Sequence, residues 1–166
     1  MKTVINIILI VFFISSLRAE NIENVKVNGN QRISQETILV LGNISLNKNY
    51  NENDLNNVLK NLYDSNFFDN VSVRISDSNL IIDVVENPII EDIEFTGIKN
   101  QGIIKNLSES ISLKTRVSFN EDQLNADINL IKNILKSNGY FFSNIKTSII
   151  MNKELNSIAL TIDINL

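Results

Sequence analysis

IENVKVNG, residues 22–29, returns in the sequence as IEDIEFTG, residues 90–97. That repeat constrains the fold more than any other feature, because a unit that occurs twice must close on itself within ~70 residues. In both copies apolar residues stand two apart, Val25 with Val27 and Ile93 with Phe95, with a charged residue between them. Alternation of this kind marks a half-buried strand, and a glycine ends each one where a turn is due.

The copies stay in step beyond that strand. Ser34 is placed to cap a short helix carrying Ile38 and Leu41 and ended by Gly42-Asn43; its counterpart carries Ile104, Leu107 and Ile111 on one face. A longer amphipathic helix follows in each. Asn51 is the expected N-cap of the first, with Leu55, Val58, Leu59, Leu62 and Tyr63 as its apolar stripe. In the second, Asn120 and Gln123 have the spacing of a capping box, and Leu124, Ile128, Ile131 and Leu135 make the stripe. Ser65-Asn66 before Phe67-Phe68 matches Asn138-Gly139 before Tyr140-Phe141-Phe142. Asn and Gly tolerate the left-handed backbone that ends a helix.

Two strands close each copy. Val71, Val73 and Ile75 alternate with polar residues, and Asp77-Ser78-Asn79 turns the chain into LIIDVV, residues 80–85. Ile145, Thr147 and Ile149 lead to a turn near Asn152-Lys153-Glu154 and then to SIALTIDI. The expected fold class is α+β, with two tandem β-α-α-β-β domains. Each is a three-stranded mixed sheet covered on one face by two helices. LIIDVV is almost continuously apolar, which places it at the centre of its sheet and residues 71–75 at an edge. Pro88 is the only proline; lacking an N–H, it belongs to a connection and not to a paired ladder. Asn87 before it is biased to extended backbone. Asn87 and Pro88 therefore form a short, stiff inter-domain joint between domains at residues 20–87 and 88–166.

Composition narrows the function. The chain has no Cys and no His, which excludes disulfides, thiol nucleophiles, imidazole catalysis and the common zinc sites. No cofactor is expected. A formal net charge of −4 argues against nucleic acid as a partner. Glu91-Asp92-Glu94 and Glu121-Asp122 lack the spacing and glycine of a calcium loop and read as solvated. With no phosphate loop, nucleophile elbow or catalytic pairing, no enzyme is expected; a carboxylate hydrolase is the enzymatic alternative.

The first 19 residues stand apart from the rest. Lys2, an apolar core over residues 4–14, and Ser15, Ser16 and Ala19 have the organisation of a secretory signal peptide, with cleavage between Ala19 and Glu20. The core is shorter than the ~20 residues that span a bilayer. Its removal leaves a net charge of about −6. Secretion across the inner membrane, without cysteine, suits a bacterial periplasm.

VNGNQRISQETI, LYDSNFFDNVSVRI and LIIDVVENPIIEDIEFTG, in that order, and GYFFSNIKTSI in the second copy, resemble POTRA domains. The tandem behind a signal peptide is similar to the N-terminal periplasmic part of the BamA family of outer-membrane protein assembly factors. The resemblance covers residues 20–166. It implies a scaffold of β-barrel protein assembly and insertion on the periplasmic side of the outer membrane. Its implied partners are unfolded outer-membrane proteins, assembly-complex lipoproteins and periplasmic chaperones. Members of the family continue into a C-terminal membrane barrel that this sequence lacks, so the chain is either a fragment or a short relative, and membrane contact would run through that barrel. An FtsQ-type cell-division protein and the POTRA part of a two-partner secretion transporter are the alternatives.

Clients are expected to add a strand to an exposed sheet edge, where unpaired N–H and C=O groups accept almost any sequence. The expected edges are Asn70, Val71, Ser72, Val73, Arg74 and Ile75, and Asn144, Ile145, Lys146, Thr147, Ser148 and Ile149. Arg74 and Lys146 would guard them against self-pairing. The alternative is a pair of solvated edges that bind nothing. Phe67-Phe68 and Phe141-Phe142 are assigned to the core, stapling helix to sheet, over a client-binding patch.

Overall fold

The computed structural model describes residues 20–166; the expected signal peptide, with Ala19, lies outside the described residues. The first unit runs β1 (Glu20–Asn21), β2 (Asn24–Asn28), α1 (Gln35–Leu41), β3 (Asn49–Tyr50), α2 (Glu52–Asp64), β4 (Phe68–Ser76) and β5 (Asn79–Glu86). The second runs β6 (Ile89–Thr96), α3 (Gln101–Ser110), α4 (Glu121–Ser137), β7 (Asn144–Asn152) and β8 (Ser157–Asn165).

Both sheets have one plan, in the orders β2-β5-β4 and β6-β8-β7. The first strand of each unit pairs parallel with the last, and the hairpin is antiparallel, so each sheet is mixed with the apolar last strand at its centre. This is the expected α+β fold. Each unit has its own core. Ile38, Leu62, Leu80 and Ile82 are fully buried in the first, and Leu107, Ile131, Leu135 and Ile158 in the second. Each such side chain contributes about 1.5–3 kcal/mol on burial. Helices cover one face only, which leaves Val85, next to buried Val84, 54% exposed on the other. The short antiparallel pair β1–β3 has no sequence signature, since two residues carry no period.

Capping explains where the helices begin. Ser34 accepts from the Thr37 N–H, and Asn51 and Asp54 form a full capping box. Asn100 accepts from Gly102 and Ile103. At α4 the expected box is only half formed. Asn120 accepts from the Gln123 N–H, but the Gln123 amide turns to Asp127 instead of reaching back. Asp127 sits in the apolar stripe, 2% exposed, and its carboxylate accepts from the N–H groups of Ser112 and Leu113, so the chain leaving α3 is tied to α4. Ile111, read as helical, is an extended residue just past α3, and still buried.

Three expected core positions are corrected. Tyr63 is 40% exposed, because its ring runs outward along the sheet and its hydroxyl reaches the backbone of β4. Phe141 and Phe142 are 67% and 96% exposed, whereas Phe68 is buried. The reason is one extra residue. Left-handed Asn66 and Gly139 end the two long helices, and the matching strand positions Val71 and Ile145 lie five and six residues later. The surplus loops the second aromatic pair outward, and Tyr140 takes the packing place.

Asn87 and Pro88 are the whole connection between β5 and β6. The Asn87 N–H donates to Phe67 and its side chain to the Asn66 carbonyl. The Pro88 carbonyl accepts from Phe119 at 2.7 Å. Across the joint, Asn120 donates to the Asn66 side chain and Asn156 to the Glu86 carbonyl. Glu86, 5% exposed, accepts from the N–H groups of Gln31, Arg32 and Ile33 and pairs with the Arg32 guanidinium at 3.0 Å. Burial pushes its carboxyl up, but the bonds from Ile33, Gln31 and Arg32 together outweigh that and hold it below the usual carboxylate range.

Candidate functional site: two sheet edges

The expected edge residues Asn70 to Ile75 lie in β4 and Asn144 to Ile149 in β7, and each strand has a neighbour on one side only. Which backbone groups are free follows from the register. In an antiparallel pair, opposite residues alternate between exchanging hydrogen bonds and turning their N–H and C=O away. Asp77 and Ser78 are both left-handed, as a two-residue type I′ hairpin turn requires, so Ser76 and Asn79 form the bonded pair that closes it. Counting back, Val71, Val73 and Ile75 present their backbone outward. The glycines give an independent check. A Cβ on Gly29 would lie 2.1 Å from the Val84 carbonyl oxygen, so that oxygen faces the β2 side and not Val71 opposite. A Cβ on Gly97 would lie 2.2 Å from the Ile164 carbonyl oxygen, which sets the same phase in the second unit. Ile145, Thr147, Ile149 and Met151 are therefore the outward positions of β7.

The two edges differ in how far they are covered. At β4 the Tyr63 hydroxyl accepts from the Val71 N–H at 3.1 Å, which occupies one outward position. α2 packs along this strand, and Val73 and Ile75 are half-buried. Arg74 does not project from the edge. Its guanidinium lies across the open face against the Asp83 carboxylate, which also accepts from Asn28 at 2.8 Å and Ser72 at 3.2 Å. Asn28 first, and then Arg74, hold the Asp83 carboxyl below its ordinary value.

β7 is bare by comparison. α4 makes no packing against it like that of α2 on β4, and only Ile145 is partly buried. Ile149, Ile150 and Met151 are 43%, 69% and 49% exposed. Among the described residues no side chain bonds its outward N–H or C=O groups. The strand runs to Asn152, three residues beyond the expected site. Sequence reasoning missed that extension and the cover supplied by Tyr63. The run Ile149-Ile150-Met151 breaks alternation, so its apolar character could be read only as the approach to a turn.

A cleft of about 990 Å³ lies beside the joint, lined by Phe68, Pro88, Phe119 and Met151 and by the carboxylates of Asp64, Asp69, Glu121 and Asp122. Among the described residues no carboxylate group has the geometry to hold a metal ion.

Comparison with known proteins follows the same division. The family model described as surface antigen variable number repeat, POTRA, matches residues 20–87 and again residues 88–165. The chain is similar to the outer membrane protein assembly factor BamA of Neisseria meningitidis serogroup B, 35% identical over 107 residues that cover 63% of this chain and 13% of that protein. It is 27% identical to BamA of Neorickettsia risticii over 90 residues, 54% of this chain and 12% of the relative. The chain thus spans a small part of the length of either. Among solved structures, POTRA1-2 of the periplasmic domain of Omp85 from Anabaena superposes with a TM-score of 0.57 at 13% identity, covering 90% of this chain and 97% of that one. At that identity the likeness is one of fold.

Proposed function

The chain belongs to the POTRA family in both of its units, and from that premise we propose that it is a periplasmic scaffold of outer-membrane β-barrel protein assembly. It binds unfolded outer-membrane proteins and partner lipoproteins by strand addition, without catalysing a reaction. The likeness to BamA over 63% of the chain supports the assembly role. The outward backbone of β7, free at four alternate residues, is the observation that carries the mode of binding. An extended client satisfies those groups whatever its side chains, which suits a receptor for many sequences.

β4 is the second such edge, shortened to Val73 and Ile75 by Tyr63, whose hydroxyl takes the outward N–H of Val71; Arg74, held against Asp83 on the open face, does not guard it. The joint at Asn87 and Pro88 restricts the angle at which the two edges meet their clients. Secretion across the inner membrane brings the chain to this compartment.

Photocrosslinking side chains at Lys146 and Ser148 of β7, and at Ser72 and Arg74 of β4, test the reading in cells. They should capture outer-membrane clients or lipoproteins. Silence at all four while Lys132 and Asn133 on α4 react would overturn it.

A further inference from the structure

About Ser148, β7 (Asn-Ile-Lys-Thr-Ser-Ile-Ile-Met-Asn) places asparagine at equal distances on either side, at Asn144 and Asn152, and apolar residues just inside them, at Ile145 and Met151. We propose that two copies of the chain pair antiparallel through β7 about a two-fold axis at Ser148, making one six-stranded sheet. In that register Asn144 stands opposite Asn152 of the second copy, Ile145 opposite Met151, and Thr147 opposite Ile149. The phase of the backbone fits. Ile145, Thr147, Ile149 and Met151 are outward on both copies, so each of these pairs exchanges two bonds, about eight in all. A slip of one residue would set outward groups against inward ones and lose them.

The side chains favour a second copy over an unrelated strand. Lys146 falls opposite Ile150, so the only charge on the strand never meets itself, and on this proposal it does not act as a gatekeeper. The ends match as well. Antiparallel pairing brings the Phe141-Phe142 loop of one copy beside the turn of the other that carries Leu155, and these side chains are 67%, 96% and 62% exposed. α4 leaves the helix side of β7 clear for this approach. Growth stops at two. The remaining outer strand is β6, whose exposed Glu91, Asp92 and Glu94 repel a further edge. The contact is isologous and closed. A strip ~30 Å long on each copy buries on the order of 1,000 Å² in total, at the lower limit for a specific interface. The dimer is therefore weak and concentration-dependent.

The test uses purified protein without any client, so its outcome bears on this proposal and not on client binding. In sedimentation equilibrium the chain from Glu20 onward should approach twice its monomer mass as concentration rises to hundreds of micromolar. The chain has no cysteine, so Ser148→Cys introduces a single thiol. On the axis the two Cα atoms would lie ~4.5 Å apart, within disulfide range. Mild oxidation should give at least ten times more covalent dimer than Ser72→Cys on β4. Ile150→Lys sets a cation opposite Lys146 of the second copy at a site 69% exposed in the monomer, so it should fold normally and weaken the dimer about tenfold. A mass that stays monomeric at every concentration, or equal crosslinking at Ser148→Cys and Ser72→Cys, or an undiminished Ile150→Lys dimer, would overturn the proposal.

Discussion

Glu86 concentrates more hydrogen bonds on one buried group than any other side chain near the joint, and its charge is what those bonds need. Glu86→Gln keeps the shape and removes the charge, and should lower stability by about 1–3 kcal/mol at pH 7, read from urea unfolding. The pH dependence has a fixed sign. Because the folded carboxyl lies below its unfolded value, its contribution is complete above the unfolded value of about 4.3 and is lost as pH falls through the folded one. The gap between wild type and Glu86→Gln should therefore shrink in acid; a gap that widened would contradict the assignment. The glycines allow a sharper contrast. Gly97 and Gly139 both have positive φ, but a Cβ at Gly97 meets the Ile164 carbonyl at 2.2 Å and one at Gly139 meets nothing within 4 Å. Gly139→Ala should cost only the left-handed strain, about 1–2 kcal/mol, and Gly97→Ala clearly more, since backbone must move as well.

At the scale of elements, the pattern of apolar residues carried most of the fold. Periodicity placed both long helices and both hairpins, and the apolar run over residues 80–85 placed β5 at the centre of its sheet. What was not legible depends on groups distant in sequence or on single-residue offsets. Asp127 looks like a polar break in a stripe until the N–H groups of Ser112 and Leu113 are seen to need an acceptor. Phe141 and Phe142 look like core until the extra residue before β7 is counted. Tyr63 has helical spacing and so reads as core, yet its hydroxyl guards an edge. That role is open to measurement. Tyr63→Phe removes the acceptor from an N–H at the sheet margin, so amide exchange at Val71 should accelerate while global stability changes by less than about 1.5 kcal/mol. Unchanged protection at Val71 would mean that the ring, and not the hydroxyl, shields the strand.

For the whole molecule, the question is whether two units with separate cores unfold as one. Each core holds ten or more buried apolar residues, worth tens of kcal/mol in gross burial. Side-chain bonds across the joint are few, Asn120 to Asn66 and Asn156 to Glu86, each worth about 1 kcal/mol net. Coupling of that size cannot hold the units together against a large loss in one of them. Ile131→Ala, at a fully buried site in the second core, should cost about 2–5 kcal/mol. Denaturation should then separate into two steps. Amide protection at Leu160 should fall first, while that at Leu80 should keep its wild-type midpoint to within the roughly 2 kcal/mol that the joint supplies. If both positions lost protection together by the full amount, the joint would have to be far stronger than its hydrogen bonds. The short Asn87-Pro88 connection would then transmit stability between the units as well as orientation.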